Sequence, residues 1–147
     1  MKISLACDHG GLELKLAVQK HLEAKGFATE DFGTYTKDSC DYSDFAAPAA
    51  RAVADGRCDS GVVICTTGIG VSIVANKVRV IRCALLTDTV AAFATRSHND
   101  TNMMALGQNI VAPYMALQIV DIWLSTPFSG GERHCRRIEK IAAMERE

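Results

Sequence analysis

Short apolar runs alternate along this chain with longer stretches in which apolar positions recur every three or four residues. Ile3 to Cys7 predicts a first strand, and Leu12 to Lys25 a helix with Leu12, Leu16, Gln19 and Leu22 along one side and Gly26 ending it. Phe27 to Phe32 is a weaker second strand, and Phe45 to Ala54, closed by Gly56, is rich enough in alanine to be helical. Gly61 to Cys65 (GVVIC) is the clearest buried strand, since five apolar or small residues in a row suit a central parallel position. The pattern continues with a helix from about Gly70 to Lys77, a strand Arg82 to Leu86, a helix Thr89 to Ser97, a strand Met103 to Leu106 and a helix Pro113 to Leu124. Glu132 to Glu147 reads as a polar C-terminal helix. Repeated strand-then-helix units predict an α/β fold, a three-layer Rossmann-like sandwich around a five-stranded parallel sheet, because parallel neighbours need crossovers.

In such a sheet a ligand sits beyond the carboxyl ends of the strands. The loops there read Asp8-His9-Gly10-Gly11, Gly33-Thr34, Thr66-Thr67-Gly68-Ile69-Gly70, Thr87-Asp88 and Gly107-Gln108-Asn109. A length of 147 residues fits a single domain spanning the chain. Sixteen Lys and Arg against seventeen Asp and Glu leave a net charge of −1, which argues against nucleic-acid and membrane partners. The six cysteines stand at 7, 40, 58, 65, 83 and 135, never closer than seven positions, which excludes a CxxC metal knuckle. The amino terminus lacks the apolar core of a secretory signal, so a cytoplasmic protein with reduced thiols is expected.

Cys65 ends the strongest strand and is followed at once by a glycine-containing turn into a helix. Inward amides and a helix N-terminus favour an anion, and would favour the thiolate of a cysteine placed there, as base or nucleophile. A small buried hydrophobe at a strand end is an equal reading of Cys65 alone. The other five cysteines read as packing residues. Gly68-Ile69-Gly70 is not a dinucleotide fingerprint, since the next required glycine falls at Ile73, and Lys77 is too far along for a nucleotide-triphosphate loop. A small phosphorylated or polyhydroxylated ligand fits better. Asp8-His9 places an acid and an imidazole beside the same crevice, with a helix N-cap as the bland alternative. Ser97-His98-Asn99-Asp100 reads as turn chemistry when taken in isolation. Glu132 to Arg137 clusters three arginines and a histidine, able to grip a phosphate or to form a solvated helix face.

Taken together, Asp8-His9-Gly10-Gly11, Cys65 to Ile73 with Ala75-Asn76-Lys77, His98 to Asn102, and Arg133-His134 with Arg137 resemble the type B ribose-5-phosphate isomerases, within the wider ribose and galactose phosphate isomerase family. The resemblance runs from Lys2 to about Glu145 with four motifs in the family's order. It implies aldose-ketose isomerisation through a cis-enediolate, with no metal and no cofactor. Cys65 would be the base, and Thr67 with the amides of Gly68 and Gly70 would stabilise the enediolate oxygen. His98, helped by Asp8, would open the furanose ring. Asn99 would bind sugar hydroxyls, and His9, Arg133 and Arg137 the phosphate, while Tyr42 and Ser72 would complete the substrate pocket. The resemblance also implies a homo-oligomer, dimer or tetramer, whose sites are shared between subunits, the C-terminal helix reaching the partner.

Some family members use a glutamate after the glycine loop in place of the cysteine. Val71 occupies that position here, so the chain resembles the cysteine type. Thr66 stands where the family usually has glycine, and Asn109 where many members carry an arginine for the phosphate. Both bear on the sugar more than on the chemistry. Ribose 5-phosphate leads, with allose 6-phosphate, galactose 6-phosphate or a tetrose phosphate as alternatives. A catalytically silent partner subunit and a nucleotide-binding module are the readings outside the isomerase class.

Overall fold

The fold was taken from a computed structural model, which describes residues 1–146. Five strands, β1 (Lys2–Cys7), β2 (Ala28–Asp31), β3 (Ser60–Cys65), β4 (Cys83–Leu85) and β5 (Met103–Gly107), form one parallel sheet in the order β2-β1-β3-β5-β4. The connections are α1 (Leu12–Ala24), α2 (Ser43–Ala54), α3 (Ile69–Ala75) and α4 (Thr89–Asn99), and α5 (Pro113–Ser125) and α6 (Glu132–Met144) follow the last strand. The expected α/β sandwich is the one observed. Glu147, placed in the last helix by its sequence, lies outside the described residues.

Alternation along the central strands divides the core into two layers. Val62 and Ile64 face α1, α4 and α5, where Trp123 is the largest buried side chain. Val63 and Cys65 face α2 and α3, where Ala46, Ala49, Ala50 and Ala52 let a helix lie close against the sheet. Each fully buried aliphatic side chain contributes about 1.5–3 kcal/mol, so these two layers supply the main driving force for folding. Among the described residues no helix is long and apolar enough to cross a membrane.

Two expectations are corrected. The buried side of α1 is Leu12, Leu14, Lys15, Val18 and Leu22, whereas Leu16 is 52% exposed. The helix packs about one residue round from the predicted stripe because Lys15, not Leu16, faces inward to meet Asp31. The segment 97–99 is not a turn: α4 continues through Asn99, and only Asp100 leaves it, in the left-handed region (φ 45°, ψ 50°). Asp and Asn tolerate that conformation better than most residues, which explains why the helix stops there.

Candidate active site

The chain steps from β1 outward to β2 and then returns across β1 to β3, so the winding reverses between β1 and β3 and opens a crevice at their carboxyl ends. Backbone hydrogen bonds stitch the loops around it. The Cys7 amide donates to Gly33 O and the Thr34 amide to Cys7 O, both at 2.7 Å. The Gln108 and Asn109 amides donate to Cys65 O (2.9 Å) and Thr66 O (3.0 Å), tying the loop after β5 to the loop after β3.

Cys65 ends β3 with only 5% of its surface exposed, and the Gly68 amide donates to its Sγ at 3.1 Å. An N–H aimed at the sulfur is the partner a thiolate needs. The chain can turn back that tightly because Gly68 adopts φ +80°, and a Cβ there would lie 2.5 Å from Leu85 and 2.9 Å from the Leu106 backbone. The Thr67 hydroxyl oxygen accepts the Ile69 amide (3.3 Å), which leaves its own hydrogen to donate elsewhere. Gly70, second in α3, has no helical carbonyl four residues back, so its amide is an open donor. A Cβ on Gly70 would lie 2.7 Å from the Tyr42 ring, so that aromatic face covers the start of the helix. Thr66 is outside the positive-φ region, so its backbone does not require the glycine that the family resemblance leads one to expect there. Val71 is fully buried among apolar neighbours.

Across the crevice, Asp8 does not cap α1; its Oδ1 accepts the Gly10 amide at 2.9 Å and shapes the turn before the helix. His9 Nδ1 accepts the Cys40 amide at 3.2 Å, so the neutral ring carries its proton on Nε2 and can offer it to a ligand. The Ser72 hydroxyl donates to Ile69 O (2.7 Å), so only its lone pairs remain for a substrate.

The remaining candidates stand at the other end of the sheet. Helix α4 runs back from the carboxyl end of β4, and its last carbonyl, Asn99 O, and that of the capping Asp100 accept from Arg82 at the entrance to β4 (3.0 and 2.7 Å). Cys65 pairs with Gly107 at the far end of β5, a strand's length away, roughly 13 Å at about 3.3 Å per residue. His98 stacks on His134 of α6, with ring centroids 4.6 Å apart and planes within 7°. Burial pushes the His134 imidazole below its ordinary value, and the positive neighbours His98, Arg133 and Arg137 act in the same direction. Each chain thus carries two separate groups: Asp8, His9, Tyr42, Cys65, Thr67, Gly68, Gly70 and Ser72 at the carboxyl end, and His98, Asn99, Arg133 and Arg137 at the amino end. Asp8 and His98, paired by the family resemblance, do not meet within one chain.

A profile of the ribose/galactose isomerase family matches residues 3–141. The chain belongs to that family. It is 42% identical over 144 residues to ribose-5-phosphate isomerase B of Escherichia coli, covering 98% of this chain and 96% of that protein. The Clostridium thermocellum ribose-5-phosphate isomerase B structure superposes with a TM-score of 0.97 at 47% identity, covering 99% and 98% of the two chains. The Mycoplasma genitalium ribose-5-phosphate isomerase B, solved with bound ribulose-5-phosphate, superposes with a TM-score of 0.94 at 39% identity over 99% and 97%. This ribose/galactose isomerase chain therefore matches type B enzymes over its whole length, with no insertion large enough to alter the architecture.

Two other cysteines of this family member are chemically quiet. Burial pushes the Cys7 and Cys83 thiols each up to about 12, so at neutral pH both stay protonated. Two participants in the geometry have no counterpart in the sequence analysis, the Cys40 amide that fixes the His9 tautomer and the buried Lys15, and His134, there only one member of the arginine cluster, proves to lie beneath His98. A signal for the burial of His134 is present, since His134, Ile138 and Ile141 follow helical spacing as an uncharged stripe through the charged first turns of the helix.

Proposed function

We propose that this family member interconverts ribose 5-phosphate and ribulose 5-phosphate through a cis-enediolate, at a site built from two copies of the chain. The observation that carries the reading is Cys65 at the carboxyl end of β3, with an amide on its sulfur and open donors from Thr67 and Gly70 alongside. In the ring form, His98 of a second copy, with Asp8 of the first, moves a proton from O1 to the ring oxygen. The C1–O4 bond breaks and C1 becomes an aldehyde. Cys65 then takes the proton from C2 and the enediolate forms. Delivery of a proton from the Cys65 thiol to C1, after that thiol has exchanged with solvent, while the O2 proton passes to O1, leaves the carbonyl at C2.

The charge that develops on oxygen is met by the Thr67 hydroxyl and the Gly70 amide, donors fixed before the reaction begins. The Gly68 amide is engaged by the sulfur and serves the base instead. Arg133 and Arg137 of the second copy, with His9 of the first, hold the phosphate by charge-assisted hydrogen bonds. Asn99 contacts sugar hydroxyls, Tyr42 walls the pocket, and Asn109 leaves the phosphate to those three groups. This assignment needs a dimer at least, with α6 reaching the partner.

The deciding experiment is proton NMR of the protein with ribose 5-phosphate in heavy water. Ribulose 5-phosphate with deuterium at C1 is expected. Turnover of only a four- or six-carbon aldose phosphate would replace the substrate while keeping the chemistry. The shared site is tested by mixing Cys65→Ala and Arg137→Ala proteins, each nearly inactive alone, under conditions that exchange subunits. Up to about a quarter of wild-type activity is expected to return, because half the chains pair with the other variant and each such dimer regains one intact site. No recovery despite demonstrated exchange would place both groups in one subunit's site.

A further inference from the structure

We infer that His134 is a positioning residue for ring opening, its imidazole serving as the plate that holds the plane of His98. The inference rests on the reading of His98 given above. His98 is exposed, at the last turn of α4, and among the described residues its ring makes no hydrogen bond. What orients it is the stack on His134 at 4.6 Å and 7°. His134 is itself well held. It is 8% exposed, lies in the first turn of α6, and its amide donates to Gly131 O at 2.9 Å. Its Nε2 faces Arg133 Nε at 3.5 Å, a long contact that places the lone pair toward the guanidinium and the ring proton on Nδ1.

A proton shuttle between O1 and O4 needs one nitrogen of His98 to reach each oxygen in turn, and a ring free to spin about its side-chain bonds spends little time in that orientation. Stacking removes that freedom without occupying either nitrogen, which a hydrogen bond would. A neutral His134 also lets His98 gain and lose charge against an uncharged neighbour, where two imidazolium rings in contact would repel. The same His134 borders Arg133, so one buried ring sets the spacing between the group that opens the sugar and an arginine that holds its phosphate.

The test uses the chemical difference between the two substrates. Ribose 5-phosphate must open a ring, whereas ribulose 5-phosphate has its 5-hydroxyl esterified and stays open-chain, so deuterium exchange at its C1 needs the base but not the ring opener. In the full-length oligomer, His134→Ala is expected to lower kcat for ribose 5-phosphate at least tenfold while C1 exchange of ribulose 5-phosphate stays within about twofold of wild type. His134→Phe, which keeps a flat ring, is expected to recover most of the loss. An equal fall in both reactions, or a rise in KM for both substrates with kcat unchanged, overturns the inference in favour of a structural or phosphate-binding role. So does a failure of phenylalanine to rescue. His98→Asn separates the two levels of the argument: if it turns over ribose 5-phosphate at the wild-type rate, the ring-opening reading itself is wrong. If it fails to do so while His134→Ala is unaffected, only the positioning role falls.

Discussion

Cys65→Ala is expected to lower kcat/KM for ribose 5-phosphate by about a thousandfold, within the range that a positioned general base contributes. Unlike a lesion in ring opening, it should abolish C1 deuterium exchange of ribulose 5-phosphate to the same degree, because both reactions need the proton taken from carbon. The fold should survive. Alanine removes one sulfur from the layer formed with Val63 and Val71, and with it the acceptor of the Gly68 amide, a cost of about 1–3 kcal/mol for an orphaned buried donor. Stopped-flow or NMR rates, measured beside a thermal unfolding curve, check both halves. A variant that keeps a tenth of wild-type activity would show that another group removes the proton.

Lys15→Ala is expected to give the largest loss of stability of any single side chain considered, about 3–5 kcal/mol in equilibrium denaturation. The Lys15 side chain is fully buried, and its ammonium donates to Asp31 Oδ1 and to Thr34 O, both at 2.7 Å, beneath the Tyr35 ring. Truncation leaves a largely buried carboxylate without its counter-charge and a carbonyl without a donor. Asp31 Oδ1 also accepts the Gly33 amide (2.9 Å), so the damage extends to the strand end that flanks the crevice. The control is Lys15→Met with Asp31→Asn, which removes both charges at similar volume and should recover much of the loss. If Lys15→Ala unfolds at the wild-type denaturant concentration, the ion pair contributes nothing net.

The three central strands are legible because a strand buried on both faces has to be apolar at nearly every position, and GVVIC announces itself by that alone, whereas the edge strand β2 (ATED) carries only a weak signal. Helix faces are harder to read. In α1 the inward position 15 is occupied by a lysine, whose partner Asp31 lies sixteen residues on, and no local pattern shows that the two will meet. The last turn of α4 resembles a loop in sequence because Ser97, Asn99 and Asp100 are all common in turns, and only the left-handed Asp100 behaves as one. Local propensity carries neither the strand order nor its consequence: each crossover helix carries its final residues back to the amino end of the sheet. That geometry puts His98 far from Cys65, although the two motifs look like parts of a single site when read along the chain. The order β2-β1-β3-β5-β4, with the fourth strand outside the fifth, likewise depends on contacts distant in sequence.

The two outermost strands are also the shortest, four residues in β2 and three in β4. Short borders give another sheet little backbone to grip, and the β2 border is further occupied by Glu30, which pairs with Lys2 and Arg57. On the two-copy site proposed above, the chain would need a neighbour for its chemistry, and a protein of that kind is exposed to the hazard of accepting neighbours without end. In that proposed dimer copies would meet through helix ends and side chains, contacts that a twofold axis can close, while the ladder of peptide groups that would let them stack into a fibre is cut off after a few rungs.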